Sequence, residues 1–360
     1  MERLRPPEEE RLPPYLLFLH FAFAASIATL SAVVTAILIR YLPILDLPNE
    51  RSSHSRPTQR GGGIAIVCGF LVGISLIHFI GDITPIKTRY FMGFLVSAFV
   101  IAGMSIYDDF RLRSATVKLV AQLCAIAIAI AAGIVIDELH LPGLHVVGPG
   151  WWGYMLTLLW ILGLTNAYNF MDGLDGLAAS SAAIASGFLS VISFNEGSHF
   201  IYLASMVLCA ASIGFLVFNI SPARIFMGDV GSTFLGFSFA VMAVIAARYD
   251  LSHTSLFVVP LLLFHFIFDS FFTFFRRLVR GDPVMRAHKT HLYQLLNQVG
   301  FSHGKVTLIY SVMAAGQGIG AVFMVGVPGD NRIWVFLPFL ILDAAYAYWL
   351  LRLAKRKKLL

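Results

Sequence analysis

The sequence predicts an all-α, polytopic integral membrane protein of about eleven transmembrane helices, N-terminus outside and C-terminus cytoplasmic. Three observations lead there. Hydrophobic residues are 58% of the 360-residue chain and charged residues 13%, with a mean hydropathy of +0.78, a balance that a water-facing globule cannot bury. The apolar residues fall in runs close to the roughly 20 residues that a bilayer core requires. Lysine and arginine, finally, are shared unevenly between alternate connections.

The first run, 16–39, is too long for the apolar part of a cleaved signal peptide, and no small-residue cleavage site follows it. It reads as a retained helix behind a polar tail, 1–15, that carries Glu8-Glu9-Glu10. Runs 62–80, 90–106, 116–136, 151–167 and 177–194 come next, then 200–218, 231–247, 256–275, 306–326 and 333–353. Residues 16–353 thus form one transmembrane domain, and 354–360 a basic cytoplasmic tail. Gly-rich and Pro-containing runs are expected to tilt or break. Cys68, Cys124 and Cys209 all lie within apolar runs without CxxC spacing, so they imply neither disulfide nor metal.

Connections after odd-numbered runs, with the C-terminal tail, carry 19 Lys and Arg; those after even-numbered runs carry 4. The basic side is expected to be cytoplasmic. Every polar motif of the chain falls on that same side, so one shared site is expected there.

Asp229 stands in Phe226-Met-Gly-Asp-Val-Gly-Ser232 before an apolar run. It suits either a helix N-terminus or a hard cation such as Mg2+, which takes one or two carboxylates and completes its shell with phosphate and water. Asn166, Asn169, Asp172 and Asp175 recur every three residues in Asn-Ala-Tyr-Asn-Phe-Met-Asp-Gly-Leu-Asp-Gly. On a continuing helix they would form one polar stripe, able to hold a metal, directly or through water, or to read a base or sugar; a polar turn is the alternative. Asp108 and Asp109 end the third run and point in different directions, one free to accept a proton or hold water, the other to pair with Lys118 or Arg113. His288 and His291 sit among Arg276, Arg277, Arg280, Arg286 and Lys289. Without an HExxH companion and amid positive charge, they suit phosphate better than zinc. Arg51 to Gly63 puts basic and hydroxyl groups beside a triple glycine without P-loop or GxGxxG spacing, leaving a phosphate-contacting loop or a membrane-entry turn. Asp269, inside the ninth run, must face the protein interior or the water boundary; Asp343 carries no motif.

These motifs, in this order, resemble the polyprenyl-phosphate N-acetylhexosamine-1-phosphate transferases, glycosyltransferases of the family 4 type. The likeness spans about Arg51 to His291: Asp108-Asp109 with Lys118, NAYNFMDGLDGLA, FNISPARIFMGDVGS, then Asp269 followed by Arg276-Arg277, Gly281, Pro283 and a histidine loop. The resemblance implies transfer of a sugar 1-phosphate from a UDP-N-acetylhexosamine to undecaprenyl phosphate, releasing UMP, as the initiating step of O-antigen or another cell-envelope polysaccharide. It implies Mg2+ on Asp229, with Mn2+ as a substitute, and a catalytic set of Asp108, Asp109 and Asp229. Asp108 resembles a base or lipid-phosphate-positioning residue and Lys118 its basic partner. Asp172 and Asp175 resemble nucleotide-site acids, and Asn219 and Phe226 uridine-pocket positions. Asn169, Arg286, His288 and His291 complete the substrate set. Thr290 stands where such enzymes have a histidine, which points to the O-antigen-initiating subgroup. A bacterial inner-membrane location, membrane lipid, a homodimer and no nucleic-acid partner go with it. The rival reading, a transporter or flippase of lipid-linked anions, would need polar groups continuing through the spans.

Overall fold

The computed structural model describes residues 14–46, 57–80, 86–111, 115–142, 144–147, 150–250, 254–283 and 288–359. Glu8 to Glu10, Arg51 to Arg56, Arg113 and Arg286 lie outside the described residues.

Eight helices come first: α1 Pro14–Tyr41, α2 Gly63–Ile80, α3 Thr88–Arg111, α4 Ala115–Ala131, α5 Trp151–Phe170, α6 Leu177–Asn195, α7 His199–Asn219 and α8 Gly228–Arg248. Then follow α9 Val258–Leu262, α10 Phe264–Val279, α11 Leu292–Gln298, α12 His303–Val325, a 3-10 turn Gly329–Val335 and α13 Phe336–Arg356. Among the described residues, seven segments are long and apolar enough to cross a bilayer: α1, α3, α6, α7, α8, α12, and the 3-10 turn with α13. The shorter α2 and α4 are also apolar. The chain is a multi-pass, helical membrane protein.

Helix α8 is the axis of the bundle. Every residue from Val230 to Ala246 is buried, as expected of a helix that is apolar all round. Helices α2, α3 and α5 surround it. Gly236 lets α5 approach so closely that a Cβ there would lie 2.8 Å from the Thr165 Cα.

The ninth expected span is two helices, not one. Pro260 lies in α9, and the chain leaves helical geometry at Leu263, with φ −112° and ψ 18°. A proline has no N–H to continue the ladder. At the start of α10 the backbone N–H of His265 donates to the side-chain oxygen of Gln317 on α12, 3.2 Å away.

Among the described residues five short strands tie the ends: β1 Leu45–Asp46, β2 Thr58–Arg60, β3 Glu138–Leu141, β4 Leu144–Val147 and β5 Ile225–Phe226. Strand β2 pairs antiparallel with β1 and parallel with β5, placing Arg60 opposite Phe226. At the other end of the bundle β3 and β4 form a hairpin. There Arg248 ends α8 and pairs with Asp137 at 3.1 Å and with Glu138. The three cysteines are free thiols.

Candidate active site

The chemistry gathers where α8 begins. Asp229 lies in its first turn, and three other parts of the chain reach its carboxylate. Lys118, from the first turn of α4, places Nζ 2.5 Å from Oδ2. Asn169, in the last turn of α5, donates from Nδ2 to Oδ1 at 3.1 Å and to the Ser232 hydroxyl at 2.8 Å. Arg60, from β2, puts Nη2 3.2 Å from Oδ1. Asp229 lies in the first turn of α8 but is not its N-cap, which is Met227, and no side chain caps from that position.

Asp109 and Asp108 do point apart. Asp109 is buried; it accepts from the backbone N–H of Asp229 at 3.3 Å and of Val230 at 3.2 Å, and pairs with Arg60 at 3.0 Å. It thus satisfies donors left open at the start of α8, where a negative charge is also favoured by the helix dipole. Asp108 instead faces Lys118, Oδ2 to Nζ 3.8 Å.

The triple glycine makes this convergence sterically feasible. The N–H groups of Gly62 and Gly63 donate to the carbonyls of Phe226 and Met227 at 2.9 and 2.8 Å. A Cβ on Gly63 would lie 2.3 Å from the Gly231 Cα. Gly228, at φ +75°, is in the left-handed region that glycine favours, and a Cβ there would meet the Asp109 carboxylate at 2.7 Å. Backbone thus approaches backbone, and Arg60 is carried to two acids. Burial alone would lower the Arg60 pKa; Asp229 and Asp109 outweigh it and hold the guanidinium above its ordinary value.

The polar stripe expected across Asn166 to Asp175 divides at the end of α5. Asn166 exchanges hydrogen bonds with Gln122 of α4, donating at 2.9 Å and accepting at 3.4 Å, while Asn169 reaches Asp229. The helix ends at Phe170; beyond it the Tyr293 hydroxyl fills the place of a Gly173 Cβ, 2.1 Å away, and Gly176 turns at φ +74°. Asp172 and Asp175 consequently leave the stripe for different surroundings. Asp172 titrates at about 7, raised by its enclosure and by the charges of Asp229 and Asp109 against the pull of Arg60. Asp175 is held below the ordinary carboxylate range: burial pushes it up, but His303, the Ala223 amide and the Ser221 hydroxyl outweigh that. Its Oδ1 is 3.1 Å from His303 Nδ1, and its Oδ2 accepts from the Ala223 N–H at 3.2 Å.

Asn219 is a buried brace. Its amide accepts from the Gly176 N–H at 3.1 Å and donates to the Ile225 carbonyl at 2.9 Å. It joins the Asp175 turn to the strand that carries Phe226.

Asp269, in α10, faces the protein interior. It accepts from Leu292 N–H at 2.8 Å, Tyr293 N–H at 3.1 Å and the Tyr310 hydroxyl at 2.9 Å, with His291 Nδ1 at 3.1 Å. This caps α11 and fixes the end of the histidine loop beside α5, where Tyr293 donates to the Phe170 carbonyl at 3.0 Å. The rings of His288 and His291 stack at 5.0 Å, and Thr290 Oγ1 lies 3.0 Å from His288 Nδ1.

Arg60 was visible in its motif but not singled out; a cation directly before a triple glycine is the signal. Ser232, Asp269 and His303 complete the framework. No three histidines, cysteines or acids converge as a closed metal cage among the described residues. The donor set fits Mg2+ all the same: a carboxylate supported by an amide and a hydroxyl, with Asp172 close by, suits an ion that keeps phosphate and water in its shell.

Residues 91–247 match glycosyl transferase family 4, a stretch that holds every named site residue from Asp108 to Asp229. The chain is 33% identical over 323 residues to a probable undecaprenyl-phosphate N-acetylglucosaminyl 1-phosphate transferase of Bacillus subtilis, covering 88% of this chain and 86% of that one. It is 26% identical to an undecaprenyl-phosphate alpha-N-acetylglucosaminyl 1-phosphate transferase of Yersinia pestis, over 86% and 84% of the two chains. Similarity to a phospho-N-acetylmuramoyl-pentapeptide-transferase of Geobacillus kaustophilus is 37% but covers 46% of this chain and 52% of that one.

Proposed function

Because the chain belongs to the polyprenyl-phosphate N-acetylhexosamine-1-phosphate transferases, enzymes that transfer sugar phosphate, we propose that it moves N-acetylglucosamine 1-phosphate from UDP-N-acetylglucosamine to undecaprenyl phosphate. The observation that carries this reading is the meeting of Asp229 with Lys118, Arg60 and Asn169 from three separate connections. The broad similarity to N-acetylglucosaminyl transferases favours that sugar over a muramoyl peptide.

Asp229, supported by Asn169, is the ligand for Mg2+, which when bound offsets charge on the diphosphate; Mn2+ can substitute. A phosphate monoester has a second pKa of about 6, so the acceptor is mostly a dianion at neutral pH and needs little help from a base. One of its oxygens attacks the β-phosphorus in line. The bond from that phosphorus to the bridging oxygen breaks, and the electron pair leaves with UMP. Lys118 and Arg60 offset charge that develops on the phosphoryl oxygens. Asp109 acts as a positioning residue, since both its oxygens are occupied by Arg60 and the α8 amides. This arrangement favours direct attack over an aspartyl-phosphate intermediate on Asp109. Asp108 faces the acceptor phosphate with Lys118, while Asp172, Asp175, Phe226, His288 and His291 border the donor.

The cytoplasmic face of the bacterial inner membrane holds the site, reached by eleven membrane-crossing segments, α9 with α10 counting as one. The polar ends of the odd-numbered connections meet here, which a transporter path does not require. The downstream role is initiation of a cell-envelope polysaccharide such as O-antigen, and a homodimer is its assembly.

The test is UMP release by purified protein in detergent, with undecaprenyl phosphate, a panel of UDP-N-acetylhexosamines, with and without Mg2+, beside Asp229→Ala. Metal-dependent release from UDP-N-acetylglucosamine, lost in the variant, is expected. Folded protein that binds the lipid but releases no UMP from any donor would favour the transporter.

A further inference from the structure

We infer that Lys118 is the exchangeable counterion of Asp229: its ammonium occupies the carboxylate until a divalent cation arrives, and then moves to a substrate phosphate. This rests on the reading of Asp229 as a metal ligand.

The two cations on Asp229 are held differently. Arg60 belongs to β2, which is paired on both sides, and its guanidinium is shared with buried Asp109 at 3.0 Å. It is fixed at both ends. Lys118 sits in the first turn of α4; its side chain is no more exposed than that of Arg60, 23% against 25%, but its second acid, Asp108, stands off at 3.8 Å. Four rotatable bonds carry its ammonium, which suits a point charge that relocates.

Asp229 leaves little room for two cations on one oxygen. Oδ1 already receives Arg60 at 3.2 Å and Asn169 at 3.1 Å, while Oδ2 receives Lys118 at 2.5 Å. A Mg2+ ligand bond is about 2.0–2.1 Å, and an ammonium in hydrogen-bond contact with the same oxygen would face a divalent charge at close range. One of the two has to leave. Lys118 has somewhere to go, because Asp108 Oδ2 lies 3.8 Å from Nζ, and a phosphate arriving there would be a stronger partner than either acid.

The exchange makes metal and phosphate binding interdependent. Lys118 leaves Asp229 more readily when a phosphate awaits it, so a nucleotide should tighten metal binding, and metal should tighten nucleotide binding by the same factor. Metal binding without substrate is correspondingly discouraged, and Lys118 positions phosphate only once the carboxylate is taken.

The experiment is Mn2+ binding to the purified full chain in detergent, followed by electron paramagnetic resonance without nucleotide, then with UDP. Lys118→Met should bind Mn2+ on the order of tenfold more tightly than wild type, since a positive charge beside the ligand is gone. Lys118→Arg, which keeps the cation, should stay near wild type, and UDP should tighten Mn2+ binding more in wild type than in Lys118→Met. Lys118→Gln replaces Lys118→Met should the latter melt early. If wild type binds Mn2+ and the neutral variants bind it no more tightly, the exchange is overturned while the metal site stands. If wild type and Asp229→Asn bind Mn2+ alike, the metal assignment itself fails, and the exchange with it.

Discussion

Replacing Gly63 with alanine tests how the backbone holds the site together. The added Cβ would lie 2.3 Å from the Gly231 Cα, 2.4 Å from the Gly231 nitrogen and 2.9 Å from the Met227 carbonyl oxygen. All three are backbone atoms, so no rotamer change relieves the contact. Ordinary carbon contacts are about 3.5–4.0 Å, and the two segments must separate by more than 1 Å, roughly. Overpacking of this kind costs about 1–3 kcal/mol. Arg60 stands three residues before Gly63 and Asp229 two before Gly231, so the separation also pulls the guanidinium from the two acids. A misplacement of about 1 Å in a catalytic array can lower turnover roughly 100-fold. The assay pairs UMP release with thermal unfolding in detergent. Gly103→Ala on α3 is the control, since a Cβ there meets nothing within 4 Å. A Gly63→Ala protein that melts with wild type and turns over within about threefold of it would refute the close-approach account.

Three further outcomes follow from the framework. Asp172→Asn should flatten a pH dependence in metal-free protein: the folded value of about 7 lies above the ordinary 3.8, so the wild type's proton-linked stability is complete below about pH 4 and lost as pH rises through 7. Melting scans in chelator should therefore show wild type falling relative to the variant between about pH 4 and 7 and running parallel to it above; curves parallel throughout would contradict the enclosure of Asp172 by negative charge. Asp269→Leu leaves the Leu292 and Tyr293 amides and the Tyr310 hydroxyl without their acceptor, at about 1–3 kcal/mol for each donor. It should melt early, and Asp269→Asn, with one acceptor oxygen left, should fall between the two. Asn219→Asp keeps the bond to Gly176 but sets a carboxylate oxygen against the Ile225 carbonyl; donor KM should rise more than kcat falls, as measured by steady-state UMP release.

Much of this site was legible because a bilayer sorts residues harshly. Asp108, Asp109, Asn169, Asp172 and Asp229 all stood at boundaries of apolar runs, where a polar group is either solvated or functional, and the basic-loop parity put them on one side. The resemblance to family 4 transferases supplied roles that spacing alone could not. Other features depended on contacts between distant residues. Strand β2 is three residues long and owes its existence to partners at both edges, so no local propensity announces it, and Arg60 could not be placed before that pairing was known. Asn219 is a brace between two loops for the same reason. For Asp269 the sequence left the protein interior or the water boundary, since an intramembrane carboxylate is costly elsewhere; the choice of the interior, with donors on α11 and α12, came from the fold. The break at Leu263 had a partial signal in Pro260; Gln317, which accepts the His265 N–H there, lies 52 residues from His265 along the chain.

The most direct measurement follows the phosphorus. Purified protein receives undecaprenyl phosphate, Mg2+ and UDP-N-acetylglucosamine labelled in its β-phosphate. The account predicts that the label enters the lipid-extractable product while UMP leaves unlabelled, and that Asp229→Ala abolishes both. Label retained in UDP, with sugar alone reaching the lipid, or label unmoved beside competent lipid binding, would contradict it.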